Sequence, residues 1–122
     1  MDQVLDKSFD FSIRVIELAK FLDEEKKPFP LCERLLLCAT GIGVFLRLSE
    51  LTGKRSAECG KQALSYSVEA EYLLEIMTKT GYLTKRQSQP IISDCRALKT
   101  LVSGLLHKAD AKKENAVNQQ VT

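Results

Sequence analysis

Apolar residues recur every three or four positions along most of the chain, which is the spacing of an amphipathic helix. In the first segment Phe11, Val15, Leu18 and Leu22 follow one another in steps of four, three and four, and Arg14 lies off this stripe. Two later segments have comparable stripes, formed by Cys59, Ala63, Tyr66, Ala70, Leu73 and Met77 and by Ile91, Cys95, Leu98, Val102 and Leu105. The pattern therefore predicts long helices, and no segment alternates as a strand would.

The segment from about Leu31 to Leu51 differs, because apolar residues cover well over half of its helical circumference. A helix that is apolar on nearly all sides must be buried on more than one of them. In a chain this short, we expect one of those sides to contact another subunit. The predicted oligomer interface consists of Leu37, Val44, Phe45 and Leu48.

The middle of this second segment also contains Thr40, Gly41 and Gly43. A glycine inside a helix costs about 1 kcal/mol relative to alanine. We therefore expect the backbone of a neighbouring helix to approach closely at these glycines.

Local signals mark the ends of the first two helices. Asp6 or Ser8 can cap the start of the first helix. Pro28 and Pro30 end that helix and suit the first turn of the next. The second turn is predicted over residues 52–55.

The connection between the last two helices carries stronger signals. Gly81 fits a left-handed residue at the end of the third helix. Thr84 and Gln87 have the spacing of a capping box at the start of the fourth. Pro90 leaves a second alternative, in which the fourth helix begins nearer Ser88 or is kinked.

Four helices with short connections predict an all-α fold, an antiparallel up-down-up-down four-helix bundle, over residues 1–108. Residues 109–122 are polar and aperiodic, and we predict a disordered C-terminal tail there. The topology places the first and third turns at one end of the bundle. Five basic residues gather at that end, partly offset by the acidic run 23–25, and form the predicted nucleic-acid-binding surface: Lys26, Lys27, Lys79, Lys85 and Arg86.

Composition narrows the function classes. The 122 residues fit one domain, and 44% hydrophobic with 28% charged residues is typical of a globular protein. The net charge of +2 is smaller than that of a dedicated DNA-binding domain, although an oligomer could concentrate a weak basic patch. We see no signal peptide and no apolar run of the roughly 20 residues that span a bilayer, so we expect a cytoplasmic protein without a membrane partner.

Candidate chemistry is sparse. The four cysteines, which include Cys38 and Cys95, form no C-x-x-C pair and fall on apolar stripes, so we interpret them as reduced core residues. His107 is the only histidine, which excludes a di-iron site built from paired Glu-x-x-His motifs. Glu71 and Glu75 share a helical face and are interpreted as solvated. We therefore predict no catalytic residues, no metal site and no cofactor.

Three tyrosines are candidates for stacking on bases: Tyr66, Tyr72 and Tyr82. Tyr66 lies on the apolar stripe of the third segment, and Tyr72 adjoins that stripe. We therefore interpret the tyrosines as core residues.

Four segments resemble motifs of the four-helix-bundle proteins encoded by intervening sequences in bacterial 23S rRNA genes. Residues 8–18 resemble the family's opening helix, and residues 38–43 lie where the family has a Ser-Gly-Thr-Ser-Ile-Gly-type segment. Residues 69–74 match a Glu-Thr-x-Tyr-Trp-Leu motif, and residues 80–83 match a Gly-Tyr-Leu turn. The resemblance covers about residues 8–107.

The resemblance implies an antiparallel four-helix bundle that forms a homopentamer and has no enzymatic activity. Members are sometimes labelled ribosomal proteins. A related branch, the accessory protein of diversity-generating retroelements, works with a reverse transcriptase and RNA through a basic surface. The chain departs from the family in the second helix, where Leu37, Phe45 and Leu48 replace Arg, Asn and Glu, and this change could enlarge a subunit interface.

Three hypotheses follow. The first is an oligomeric scaffold that binds RNA or a nucleic-acid-handling partner through the five basic residues. The second is a protein-only interaction module, which the apolar second helix and the nearly neutral charge favour. The third is an enzyme that uses the bundle core, and metal analysis of the purified protein is its check.

Overall fold

The computed structural model describes the backbone of residues 2–52 and 57–121 and the side-chain surroundings of residues 3–52 and 57–108. Within these ranges the chain forms four helices, which are α1 (Asp2–Glu24), α2 (Cys32–Leu51), α3 (Ala57–Lys79) and α4 (Lys85–Val121). Each helix packs against the one that follows it, and α1 also packs against α4. The predicted all-α four-helix bundle is confirmed.

The apolar stripes form the core. In α1 Phe11, Val15 and Leu22 are buried and Leu18 is half-buried, as the spacing predicted. The stripes of the last two helices also face inward, with Ala63, Ala70, Leu73, Met77, Ile91, Cys95, Leu98 and Val102 buried. The periodicity therefore identified the buried faces of three helices correctly.

The start of α1 lies further towards the N-terminus than predicted. The helix begins at Asp2, so Asp6 and Ser8 are interior residues and not caps. Val4 is buried and extends the stripe by two turns beyond Phe11, which explains why the helix continues. The Ser8 hydroxyl is buried and donates a hydrogen bond to the Leu5 carbonyl at 2.8 Å. A serine inside a helix can satisfy its hydroxyl in this way, and its presence therefore does not mark a cap.

The connection between α1 and α2 contains both prolines. Pro28 and Pro30 precede Leu31, the residue that flanks the first turn of α2, so they lie outside the first helical turn in which they were expected. The next connection, predicted over residues 52–55, lies outside the described residues except for Thr52.

Gly41 faces a side chain where a neighbouring backbone was expected. A Cβ atom at Gly41 would lie 2.8 Å from two carbons of the Tyr66 ring on α3. A Cβ atom at Gly43 would lie 3.5 Å from the Ser8 hydroxyl oxygen, an ordinary contact. Only Gly41 of the two is therefore required for the packing seen.

Helix α4 begins at Lys85 and not near Ser88, and Pro90 lies within it. Pro90 is the sixth residue of the helix, so the hydrogen bond that an N–H at this position would donate to the Arg86 carbonyl is missing. Within the predicted tail, the backbone of residues 109–121 continues α4 to Val121. Residues 109–121 include three alanines, two lysines, two glutamines and one glutamate, which favour helix even without an apolar stripe.

None of the helices in the described part of the chain combines the length and the apolarity that a bilayer crossing requires.

Candidate nucleic-acid interface

The first of the two basic turns begins where α1 ends. Lys26 adopts a left-handed conformation with φ of 56°. Its N–H donates to the Asp23 carbonyl at 3.1 Å, and the Lys27 N–H donates to the Leu22 carbonyl at 2.9 Å. These two bonds form a Schellman motif, which satisfies the last carbonyls of the helix. Both lysine side chains are exposed, and the motif fixes the direction in which their backbone leaves α1.

The second basic turn repeats this arrangement at the end of α3. Gly81 has φ of 89°, and its N–H donates to the Thr78 carbonyl at 3.2 Å. The Tyr82 N–H donates to the Met77 carbonyl at 3.0 Å. The predicted role of Gly81 is therefore confirmed. Lys79 is exposed and ends α3.

A capping box follows at once and begins α4. The Gln87 N–H donates to the Thr84 hydroxyl at 3.1 Å, and the Thr84 N–H donates to the Gln87 side-chain oxygen at 2.9 Å. Both halves of the predicted capping box are thus present. Lys85 and Arg86 occupy the first turn of α4, and both are exposed.

An aromatic pair joins the two turns. Phe29 in the first connection lies edge-to-face on Tyr82 in the third, with 5.1 Å between ring centroids. Phe29 is 6% exposed and Leu83 is 3% exposed, so an apolar contact lies beneath the exposed cations. The structure therefore brings the first and third turns to one end of the bundle, as the topology predicted.

The five basic residues assigned from the sequence, Lys26, Lys27, Lys79, Lys85 and Arg86, all lie at this end and are exposed. Among the side chains that the structure describes, none of the five forms an ion pair. The acidic run 23–25 is also exposed and reduces the field of the lysines beside it. The positive charge is consequently less opposed on the α3–α4 side than on the α1–α2 side.

A groove of about 780 Å³ lies between the end of α3 and the start of α4. Its lining includes the two exposed lysines Lys79 and Lys85 as well as Arg96 and Glu75. Sequence reasoning found the lysines but missed Arg96, Gln89 and Ser93, because helical spacing does not determine which α4 side chains face α3.

Ion pairs hold Glu71 and Glu75, which were expected to be solvated. The Arg96 guanidinium donates to Glu71 at 2.7 Å and to Glu75 at 3.3 Å. The Lys99 ammonium donates to Glu71 at 2.5 Å. Lys99, followed by Arg96, holds the pKa of Glu71 below its usual range. The two carboxylates thus join α3 to α4, and within the described side chains no group of three or more metal-ligating residues forms.

A second polar contact joins α2 to α3. Arg34 binds Glu69 through two hydrogen bonds of 2.7 Å, and the Cys38 thiol lies 3.0 Å from the same carboxylate. Burial, followed by this hydrogen bond to Glu69, raises the pKa of Cys38 to about 12. Burial likewise raises the pKa of Cys95 to about 12. Both thiols are thus protonated core groups at neutral pH, in agreement with the sequence interpretation.

The outer face of α2 carries most of the predicted interface. Leu37, Val44 and Leu48 are 48%, 62% and 44% exposed. Phe45 differs from them, because it is half-buried and stacks on Tyr66 with 5.9 Å between centroids. Its ring contributes to packing within the chain, so a charge placed there would disturb the fold itself.

A second apolar stripe on α1 was missed. Phe9, Ile13 and Ile16 are 52%, 40% and 41% exposed, on a face of α1 other than the buried stripe. The signal was present, since these residues are spaced four and three apart. The Arg47 guanidinium of α2 lies 5.4 Å from the Phe9 ring centroid, which partly covers that ring.

The tyrosines divide between core and surface. Tyr66 and Tyr82 are half-buried, as expected, but Tyr72 is 63% exposed and its assignment to the core was wrong. It directly precedes the buried Leu73, and one helical step of about 100° is enough to turn it outward. His107 is also exposed.

These features define a small all-α protein, a four-helix bundle with a basic end and an apolar outer face. A crystal structure of a protein of unknown function from the S23 ribosomal protein family of Bacteroides thetaiotaomicron is similar, with a TM-score of 0.79. The two sequences are 32% identical over 84% of this chain and 97% of that chain. The chain belongs to the S23 ribosomal protein family.

No protein-family model matches the sequence, and no curated protein matches it. The likeness to the accessory protein of diversity-generating retroelements, inferred from the sequence motifs, stays a prediction.

Proposed function

We propose that this protein is a non-enzymatic, cytoplasmic homo-oligomeric scaffold that binds RNA, or a partner that handles nucleic acid, through the basic end of the bundle. One observation carries the proposal. Five exposed cations from two turns that lie far apart in sequence meet at one end, and none forms an ion pair among the described side chains. Cations with no partner in the chain can neutralise phosphates and release counterions, which is the main source of sequence-independent affinity for nucleic acid.

Oligomerisation would strengthen this surface. A net charge of +2 is modest for one chain, and several copies around an axis would repeat the basic end in a ring. The family resemblance implies five copies. The exposed face of α2, with Leu37, Val44 and Leu48, supports a subunit contact because apolar side chains gain free energy when they leave water.

Fluorescence anisotropy with labelled RNA over a series of salt concentrations tests the nucleic-acid contact. We expect the logarithm of the association constant to fall with the logarithm of salt concentration by about 0.7 for each phosphate contact on a single strand. Reversing two charges with Lys85→Glu and Arg86→Glu should weaken binding strongly and flatten this slope.

A matched control reverses two charges at the opposite end, with Lys7→Glu and Lys61→Glu. Both residues are exposed, and they lie near the starts of α1 and α3. Net charge changes equally in the two variants. Equal losses of affinity would contradict a site at the basic end, and no RNA binding by the wild type at low salt would contradict the proposed RNA contact itself.

The second candidate function is a protein-only interaction module, and the apolar face of α2 is the observation that favours it. Val44→Glu places a charge on that face without touching the core, since Val44 is 62% exposed. Val68→Glu on α3 is the matched control, because Val68 is 51% exposed. We expect light scattering to show smaller particles for Val44→Glu alone. If both variants keep the mass of the wild type, the outer face of α2 is not the subunit contact.

A further inference from the structure

The groove between α3 and α4 has the properties of a binding site of its own. Its volume of about 780 Å³ falls within the range of roughly 300–1,000 Å³ that is common for small-ligand sites. Both helices contribute to its walls, through Glu75, Thr78, Lys79, Lys85, Ser88, Gln89, Ile92, Ser93 and Arg96.

Some charged side chains in the groove are already in ion pairs, and others can bind a ligand. Arg96 is held by Glu71 at 2.7 Å and by Glu75 at 3.3 Å, and Lys99 also pairs with Glu71 at 2.5 Å, so these four side chains balance one another in charge. Lys79 and Lys85 have no ion pair among the described side chains, and they belong to opposite walls. An anion placed between the two walls could contact both ammonium groups.

The uncharged part of the lining suits the rest of a nucleotide. Ile92 is half-buried and offers an apolar surface to a base. Gln89 and Ser93 are exposed and can hydrogen-bond to a sugar hydroxyl or a base edge. Sites of this kind combine an apolar surface with a few polar groups that set orientation.

We propose that this groove binds one unpaired nucleotide of an RNA strand, with its phosphate between Lys79 and Lys85 and its base against Ile92. The inference rests on the proposed RNA-binding function and assigns the principal RNA contact to one of the two basic turns. An unpaired nucleotide is favoured, because a base in an A-form duplex must first be unstacked and unpaired before it can enter a groove on a protein surface.

Two double variants that replace lysine by uncharged glutamine show which of the two basic turns contributes more to RNA binding. Lys79→Gln with Lys85→Gln removes the cations of the groove, and Lys26→Gln with Lys27→Gln removes the same charge outside it. One neutralised phosphate on a single strand contributes about 0.7 to the salt slope, which corresponds to roughly 5-fold in affinity at 0.1 M salt. We expect the groove variant to lose about this much, and the turn variant to lose much less.

A steric variant tests the groove without changing charge. Ser93→Leu adds bulk at an exposed position of the lining, and Ser65→Leu makes the same change at an exposed position of α3 outside it. Leucine favours helix, so both variants should fold. We expect Ser93→Leu to weaken binding of a single-stranded RNA and Ser65→Leu to leave it unchanged. The full-length protein should also bind the single strand more tightly than a duplex of the same length.

The outcomes separate this inference from the proposed function. If the wild type binds RNA but Ser93→Leu binds it as tightly, the groove assignment is overturned and the RNA-binding function stands. The same conclusion follows if the two double lysine variants lose the same affinity for RNA. Equal affinity for single strand and duplex overturns it as well. If the wild type binds no RNA probe at low salt, both the function and the groove assignment fail.

Discussion

Gly41→Ala tests whether the contact between α2 and α3 is as close as the structure indicates. The added Cβ atom would lie 2.8 Å from the Cδ2 and Cε2 atoms of Tyr66. These atoms are on the side of the ring, and the ring stacks on Phe45 with an interplanar angle of 30°. The ring therefore cannot move away without disturbing a second aromatic side chain.

Two opposing contributions determine the size of the effect. Replacing a helical glycine by alanine stabilises a helix by about 1 kcal/mol. Overpacking a filled site costs about 1–3 kcal/mol. We therefore expect Gly41→Ala to change the free energy of unfolding by between about zero and −2 kcal/mol.

Two other glycines serve as controls. A Cβ atom at Gly43 would make an ordinary contact at 3.5 Å, and one at Gly104 would have no neighbour within 4 Å. Gly43→Ala and Gly104→Ala should each raise the free energy of unfolding by about 1 kcal/mol. The stability of Gly41→Ala should consequently lie about 1–3 kcal/mol below that of Gly43→Ala.

Urea unfolding followed by circular dichroism measures these differences, at one fixed protein concentration because an oligomer's stability depends on concentration. If Gly41→Ala is stabilised as much as Gly43→Ala, the close contact with Tyr66 does not exist. In a Tyr66→Leu background the clash is removed, and there Gly41→Ala should stabilise by about 1 kcal/mol.

Three further predictions concern the turn, the ion pairs and the thiols. Lys26→Gly should stabilise the fold by about 0.5–1 kcal/mol in urea unfolding, because a side chain in the left-handed region costs about 1–2 kcal/mol and glycine loses more entropy on folding. Glu71→Gln should lower the free energy of unfolding by about 1–2 kcal/mol, since the Glu71 carboxylate is 12% exposed and accepts hydrogen bonds from two cations of α4. Glu75→Gln should lower it by less than about 0.5 kcal/mol. Cys38 and Cys95 should react with iodoacetamide at pH 8 about 1,000-fold more slowly in the native protein than in urea, because raising a pKa from 9 to about 12 lowers the thiolate fraction by that factor.

Each of these predictions has a result that contradicts it. Lys27→Gly is the control for the turn, since only Lys26 has a positive φ there; equal effects would argue against strain at Lys26. The pKa of Glu71 is lowered on folding, so its contribution is present above the pKa of the unfolded chain and is lost as the pH falls from that value through the lower pKa of the folded state. Glu71→Gln should therefore reduce the acid sensitivity of folding, and an unchanged pH profile refutes the pairing. Rapid alkylation of Cys38 and Cys95 in the native protein would show that they are not buried.

The sequence was sufficient to predict the helices and their buried faces, because a spacing of three and four residues survives without knowledge of the partners. The sequence was less informative about the residues at which the helices begin and end. The buried hydroxyl of Ser8 resembles a cap in sequence, and nothing marks Lys26 as a left-handed residue, since no glycine stands there. The Schellman motif at Gly81 was predictable because glycine is favoured in that conformation.

The candidate interface was predictable only in part. The connectivity alone brought the two basic turns to one end of the bundle. Which side chains line the groove depends on the rotation of α4 against α3, and the sequence does not define that angle. Arg96 was missed for this reason, and the partial burial of Phe45 was missed because its partner Tyr66 lies on another helix.

The ring contact between Phe29 and Tyr82 has a consequence for recognition. It joins two turns that carry cations and that are far apart in the chain, at a centroid distance of 5.1 Å. Backbone ordering at both turns is completed during folding, through the two Schellman motifs and this contact. A polyanion that binds across them would then meet an arrangement of charge with a spacing already established. Its association would lose little conformational entropy from the protein, apart from the lysine and arginine side chains themselves.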